Sequence, residues 1–190
     1  MTMPQDIAKL QSEMAATVRE HWKAFLIEGV LLAILGLAAI ILPPLASLAV
    51  TIFLGWMFLI TGVAGLVLTF WARQMPGFWW SLLSAVLAVA AGIILLAMPV
   101  QGTLTLTIVV GAYFLAEGVA TIMYALEHRR ELSERWSWLL FAGILDLLIA
   151  FVIVAGLPGS ASWAIGLLVG INLLFGGVSL IGMALAARNS

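Results

Sequence analysis

Cysteine is missing from all 190 residues, which excludes disulfides, thiolate metal sites and thiol nucleophiles. Charge is nearly as scarce. Asp, Glu, Lys and Arg make up 9% of the chain, whereas a soluble domain carries about a quarter. The formal net charge of −1 lacks the basic footprint that a nucleic-acid partner requires. The two histidines, His21 and His128, are too few and too far apart in sequence to suggest a metal site. HExxH, GxSxG and P-loop patterns are all missing, and no long polar stretch could host a soluble catalytic domain. The expectation is a non-enzymatic chain with no cofactor.

What is abundant is apolar surface: 64% of the residues are hydrophobic. A water-soluble fold of this length cannot hide so much, so the solvent is expected to be lipid and the bilayer the first partner. Six apolar windows follow one another at 23–42, 46–71, 78–98, 102–126, 136–156 and 161–187. Each is long enough to cross a hydrocarbon core of about 30 Å at about 1.5 Å per residue. Their apolarity is continuous rather than alternating, which points to helices and not to barrel strands. The first twenty or so residues are polar, without a small-residue cleavage site, so the first span is read as an uncleaved anchor.

The basic residues predict an orientation. Lys9, Arg19 and Lys23 flank the first span, Arg73 follows the second, Arg129, Arg130 and Arg135 lie between the fourth and fifth, and Arg188 follows the sixth. The turns around Pro43-Pro44, Pro99–Gly102 and Pro158–Ser162 carry no charge. Every Lys and Arg thus falls on one side, predicting a multi-pass protein of a bacterial inner membrane with both termini cytoplasmic. Trp22, Trp71, Trp79, Trp80, Trp136 and Trp138 cluster at the same span ends, as an interfacial aromatic belt does.

The chain also repeats itself. Aligned on Pro43, Pro99 and Pro158, glycines recur twelve residues on (Gly55, Gly111, Gly170) and nineteen on (Gly62, Gly118, Gly177). Arginines recur thirty on, at Arg73, Arg129 and Arg188. Before the proline, Gly36 matches Gly92, but Phe151 breaks the pattern. Each proline ends a first helix. The two glycines share one face of the second, where small residues let helix backbones approach. Gly166 and Gly170 add a further small pair. The expected fold is all-α: three parallel hairpin repeats, 22–73, 78–130 and 136–188, with approximate internal threefold symmetry. Residues 1–21 precede them. Within these, Ile7, Leu10, Met14 and Val18 space themselves as the apolar stripe of an amphipathic helix over 4–21.

Three acids lie inside the spans. Glu28, five residues past Lys23, can reach the headgroups. Glu117, twelve residues before Arg129, and Asp146, eleven after Arg135, both sit about 17 Å from the cytoplasmic charges, near the midplane. They lie on adjacent helices and could meet. No span interior supplies a cation, so both are expected in the neutral form, able to donate and accept hydrogen bonds. Tyr113, Thr121 and Tyr124 share the face of Glu117, and the sixth span offers Asn172 with Ser179 seven residues on. Two readings stand: a hydrogen-bonded polar clamp between repeats, or a protonation-sensitive switch or proton path.

The run Gly143-Ile-Leu-Asp146-Leu-Leu-Ile-Ala150, then Pro158, then Leu168-Val-Gly170-Ile-Asn-Leu-Leu-Phe175 resembles the HdeD family of bacterial acid-resistance membrane proteins. The resemblance extends from about Trp22 to Arg188. It implies six inner-membrane spans built from short repeated hairpins and a role in surviving acid stress. It brings no catalytic residue. Alternatives from other classes are a small transporter or channel for protons or a neutral solute, and a membrane scaffold or assembly subunit acting through the amphipathic N-terminal tail and the 127–135 loop. Composition names no small-molecule ligand, and a homo-oligomer stays open.

Overall fold

The computed structural model describes residues 21–74, 76–129, 131 and 135–189. The amphipathic segment expected over 4–21 lies outside them, apart from His21. Six long helices follow in order: α1 Trp22–Ile41, α2 Pro43–Trp71, α3 Phe78–Ala97, α4 Pro99–Glu127, α5 Arg135–Ala155 and α6 Ala164–Asn189. A short 3-10 turn, Gly159–Ser162, precedes α6. Among the described residues there is no strand, and all six helices are long and apolar enough to cross a membrane.

α2 and α4 begin on Pro43 and Pro99 themselves, three residues before the apolar windows suggest. Proline suits the first turn of a helix, because its missing N–H would have no intrahelical partner there. The preceding residue cannot stay helical. Leu42 and Met98 accordingly break to φ −123°, ψ 59° and φ −133°, ψ 66°, each still donating its N–H to the carbonyl four residues back at 2.9 Å. One residue thus separates α1 from α2 and α3 from α4. At the opposite end of the spans, Gly77 at φ 95° turns the chain into α3, a conformation open to glycine at little cost.

The described residues form two compact units, those within 21–42 and 167–189 and those within 43–166. In the second unit the most extensive packing joins α2 to α3 and α4 to α5. The tight pairs therefore bridge consecutive repeats across the arginine-bearing loops, rather than joining the two helices on either side of a proline.

Small residues carry the packing. A Cβ on Gly62 would meet the Val89 nitrogen at 2.7 Å and the Ala85 carbonyl at 3.1 Å; one on Gly92 would meet the Leu59 nitrogen at 2.7 Å and the Gly55 carbonyl at 2.9 Å. In the α4–α5 pair, a Cβ on Gly118 would meet the Gly143 carbonyl at 2.8 Å and the Leu147 side chain. The first unit repeats the register: Gly177 against Ala33 and Gly29, and Gly36 against Leu174 and Gly170. The stripe continues one heptad further, through buried Thr69, Ala125 and Ala184. On α5 the buried position belongs to Ala150, at 1% exposure, while Phe151 is 70% exposed. Two residues, Gly156 and Leu157, separate the end of α5 from Pro158 where one precedes Pro43 and Pro99, so the apparent break at Phe151 is a change of register.

Large apolar side chains point outward instead: Phe53, Phe151 and Phe175 are all more than half exposed. Small residues inside and bulky ones outside is the distribution expected where the outer solvent is hydrocarbon and close backbone approach drives association.

Candidate functional site: intramembrane carboxyls and a hydroxyl-floored cavity

The acids divide between the two units. In residues 43–166, Tyr113 and Glu117 lie one turn apart on α4. Asp146 is half-buried on α5, the helix packed against α4. Glu117 itself is exposed at the helix surface. No hydrogen bond joins the two carboxyls among the described residues. Thr121 is half-buried, and Tyr124 stacks on His128 with ring centroids 4.3 Å apart. In the other unit, Glu28 is exposed on α1 beside Ala24, Leu31 and Leu35, and Asn172 and Ser179 are exposed on α6. Gly55, Gly62, Gly111, Gly118, Gly170 and Gly177 are all buried. Among the described residues no three His, Asp or Glu gather as metal ligands.

Aromatic and basic residues meet at the arginine end of the spans. The Arg129 guanidinium lies 5.7 Å from the Trp136 ring, and the Arg188 guanidinium and Lys23 ammonium lie 5.5 and 5.7 Å from Trp22. Such pairs hold a cation against an amphipathic ring where headgroups meet hydrocarbon.

The proline end holds a set of residues not anticipated above. Ser47, Thr51 and Thr107 expose no surface, and Thr103 exposes 4%. Thr51 Oγ1 lies 2.9 Å from the Ser47 carbonyl and 2.7 Å from Thr103 Oγ1, while Thr103 Oγ1 lies 2.8 Å from the Pro99 carbonyl. Two hydroxyl protons face three acceptor positions, so a donor for the Thr51–Thr103 contact gives up or shares its bond to a carbonyl. Thr107 donates to the Thr103 carbonyl at 2.8 Å. Bonding back to the preceding turn keeps these hydroxyls satisfied inside an apolar helix bundle. Ser47 Oγ accepts the Gly166 N–H at 2.9 Å. Gly166 is the third residue of α6, so that N–H has no partner within its own helix; Ser47 supplies one from a helix far away in sequence. The approach requires glycine, since a Cβ at 166 would overlap the Pro43 carbonyl oxygen.

The signal for this set is present in the repeat. Ser47, Thr103 and Ser162 fall four residues after the aligned prolines, and Thr51 and Thr107 eight after. Removing the cap has a defined cost. Ser47→Ala orphans the Gly166 N–H and is expected to lower stability by about 1–2 kcal/mol, measured as the thermal unfolding midpoint in detergent. Thr61→Ala removes a hydroxyl that bonds back only to its own helix, at the Met57 and Phe58 carbonyls on an exposed face, and should leave the midpoint within error.

A cavity of about 270 Å³ lies against these hydroxyls, walled by the first turns of α2 and α4 and by the 3-10 turn. Its lining includes Ser47, Gln101, Thr103 and Ser162 among apolar residues and carries no ionisable group.

Comparison with known proteins places this architecture. The model of a family described as a short repeat of unknown function (DUF308) matches residues 27–97 and again 83–155. The two matches start at the same point of successive repeats and share α3. HdeD of Escherichia coli K12 is 29% identical over 182 residues, covering 94% of this chain and 92% of the relative. The HdeD proteins of Escherichia coli O157:H7 and Shigella flexneri match equally well. No solved structure matches. With six apolar helices in tandem hairpins, a repeat matched twice by the family model and likeness to HdeD along nearly its whole length, the chain belongs to the DUF308 short-repeat family and is an HdeD-like membrane protein.

Proposed function

We propose that this protein is a non-enzymatic stress protein of a bacterial inner membrane, with both termini cytoplasmic, that contributes to acid resistance through the protonation of Glu117 and Asp146. The observation that carries the reading is a pair of carboxyls, Glu117 on α4 and Asp146 on α5, borne by two closely packed helices in the middle of spans whose interiors hold no Lys or Arg. Intramembrane acids are costly to maintain and mark functional positions more often than structural ones. Ionised, the pair repels across the α4–α5 contact; protonated, it can form hydrogen bonds instead. A fall in pH thus acts directly on how α4 and α5 meet.

The cytoplasmic placement of both termini rests on the clustering of every Lys and Arg at one end of the spans. Threefold internal symmetry is supported by the shared glycine register of the three helix pairs. Likeness to HdeD supports the link to acid stress.

The test is survival of acid challenge by a strain lacking the protein and complemented with Glu117→Gln, Asp146→Asn or the double variant. Each substitution keeps size and hydrogen bonding but cannot titrate. Survival should fall toward that of the uncomplemented strain at unchanged protein level. Full survival with the double variant sinks the proposal.

A further inference from the structure

The cavity at the proline end is independent of the carboxyl cluster, and its chemistry is specific. None of its lining residues can carry a charge, and burying an ion there without a partner would be prohibitive. Its walls are apolar: Pro44, Leu48, Val100, Leu104 and Ala161. Two side chains bring polarity to an exposed position. The Ser162 hydroxyl donates to the Gly159 carbonyl at 2.8 Å, leaving its own lone pairs free. The Gln101 side-chain amide makes no hydrogen bond among the described residues and offers both donor and acceptor. Behind them, the buried hydroxyls of Ser47 and Thr103 form a floor whose bonds are made internally. An apolar chamber with a few convergent polar groups and no charge is the form of a site for a small neutral ligand.

The position agrees with that form. α2 and α4 are 29 residues each, about 43 Å at 1.5 Å per residue, against a hydrocarbon core of about 30 Å. The first turns that wall the cavity therefore lie near the headgroup region, where a molecule with an apolar body and one polar group concentrates.

We propose that this cavity binds a neutral amphiphile of about eight to twelve heavy atoms with a single hydroxyl or comparable polar group, scaled from benzene filling a cavity of about 150 Å³. The apolar chain lies along Leu48 and Leu104, and the polar group faces Gln101 and Ser162. Straight-chain alcohols are the simplest members of the class, and an anion of the same length is excluded.

The probe is a diazirine-bearing octanol, photolysed with the full-length protein in lipid nanodiscs, with the adducts mapped by mass spectrometry. Adducts should concentrate on the 44–48 and 100–104 segments, and excess 1-octanol should compete them away while octanoate at pH 8 should not. Val100→Phe, at a position already 68% exposed, narrows the chamber without burdening the fold and should cut labelling of those segments by about tenfold. Gln101→Leu keeps the volume and removes the amide. It should abolish the preference for the alcohol over an alkane diazirine of equal length. Labelling spread evenly over lipid-facing residues, or unchanged in Val100→Phe, overturns the proposal; so does equal competition by octanoate.

Discussion

Gly92→Leu is expected to force α3 away from α2 and to lower stability by about 3 kcal/mol or more, read as a fall in the thermal unfolding midpoint of the detergent-purified protein. The size follows from what the new side chain meets. A Cβ alone would stand 2.7 Å from the Leu59 nitrogen, 2.9 Å from the Gly55 carbonyl oxygen and 3.0 Å from the Leu59 Cα. All three are backbone atoms of a regular helix, so none can swing aside, and the helices must separate along a seam that includes Gly62. Gly55 is a milder case, because its Cβ would meet the side chain of Leu96 at 2.9 Å, and a leucine can change rotamer. Gly55→Ala should therefore cost less than Gly92→Ala. Gly176 provides the control. Nothing lies within 4 Å of a Cβ there, and leucine is the better helix former by up to about 1 kcal/mol. Gly176→Leu should leave the midpoint unchanged or slightly raised. Equal losses at Gly92 and Gly176 would mean that close packing at Gly92 contributes nothing.

Why the partner of each glycine face lies beyond sequence reasoning is a matter of range. A proline, and glycines seven residues apart, are local signals, and they mark where a helix starts and which face is small. They do not say which neighbour covers that face. The hairpin across Pro99 brings α3 and α4 end to end through a single residue, yet the extensive packing of α3 is with α2. The Phe151 mismatch shows the same limit. Counting back from Pro158 points at Phe151, but Gly156 and Leu157 both lie between the end of α5 and Pro158, where Leu42 alone precedes Pro43, and the small position falls at Ala150. The hydroxyls were readable as spacing but not as a site. Threonine within an apolar span can simply bond to its own helix, as Thr61 and Thr105 do. What sets Thr51 apart is Thr103 at 2.7 Å, and what sets Ser47 apart is an N–H 119 positions away. Membrane spans, by contrast, were legible throughout, because in lipid each helix must satisfy its own backbone whatever surrounds it.

Asp146 offers the sharpest separation of stability from function. On insertion scales an aspartate at the centre of a span costs about 2.5–3.5 kcal/mol and a leucine gains about 0.3–0.6 kcal/mol, so Asp146→Leu should ease insertion of α5 by about 3 kcal/mol. If Asp146 were a clamp, that gain would be offset by the lost interaction with the Tyr113–Glu117 pair, and the folded protein would weaken. If it is a protonation site, the fold should hold or strengthen while acid survival is lost. The second outcome is the expected one. No hydrogen bond joins Asp146 to Glu117 among the described residues, so removing Asp146 breaks none between them. The two measurements are the unfolding midpoint at pH 7 and survival after acid challenge, compared with Asp146→Asn, which restores polarity without titration. A midpoint that drops in Asp146→Leu and recovers in Asp146→Asn, with survival following the midpoint, would return both acids to a structural role and leave the titration of this pair with no part in the stress response.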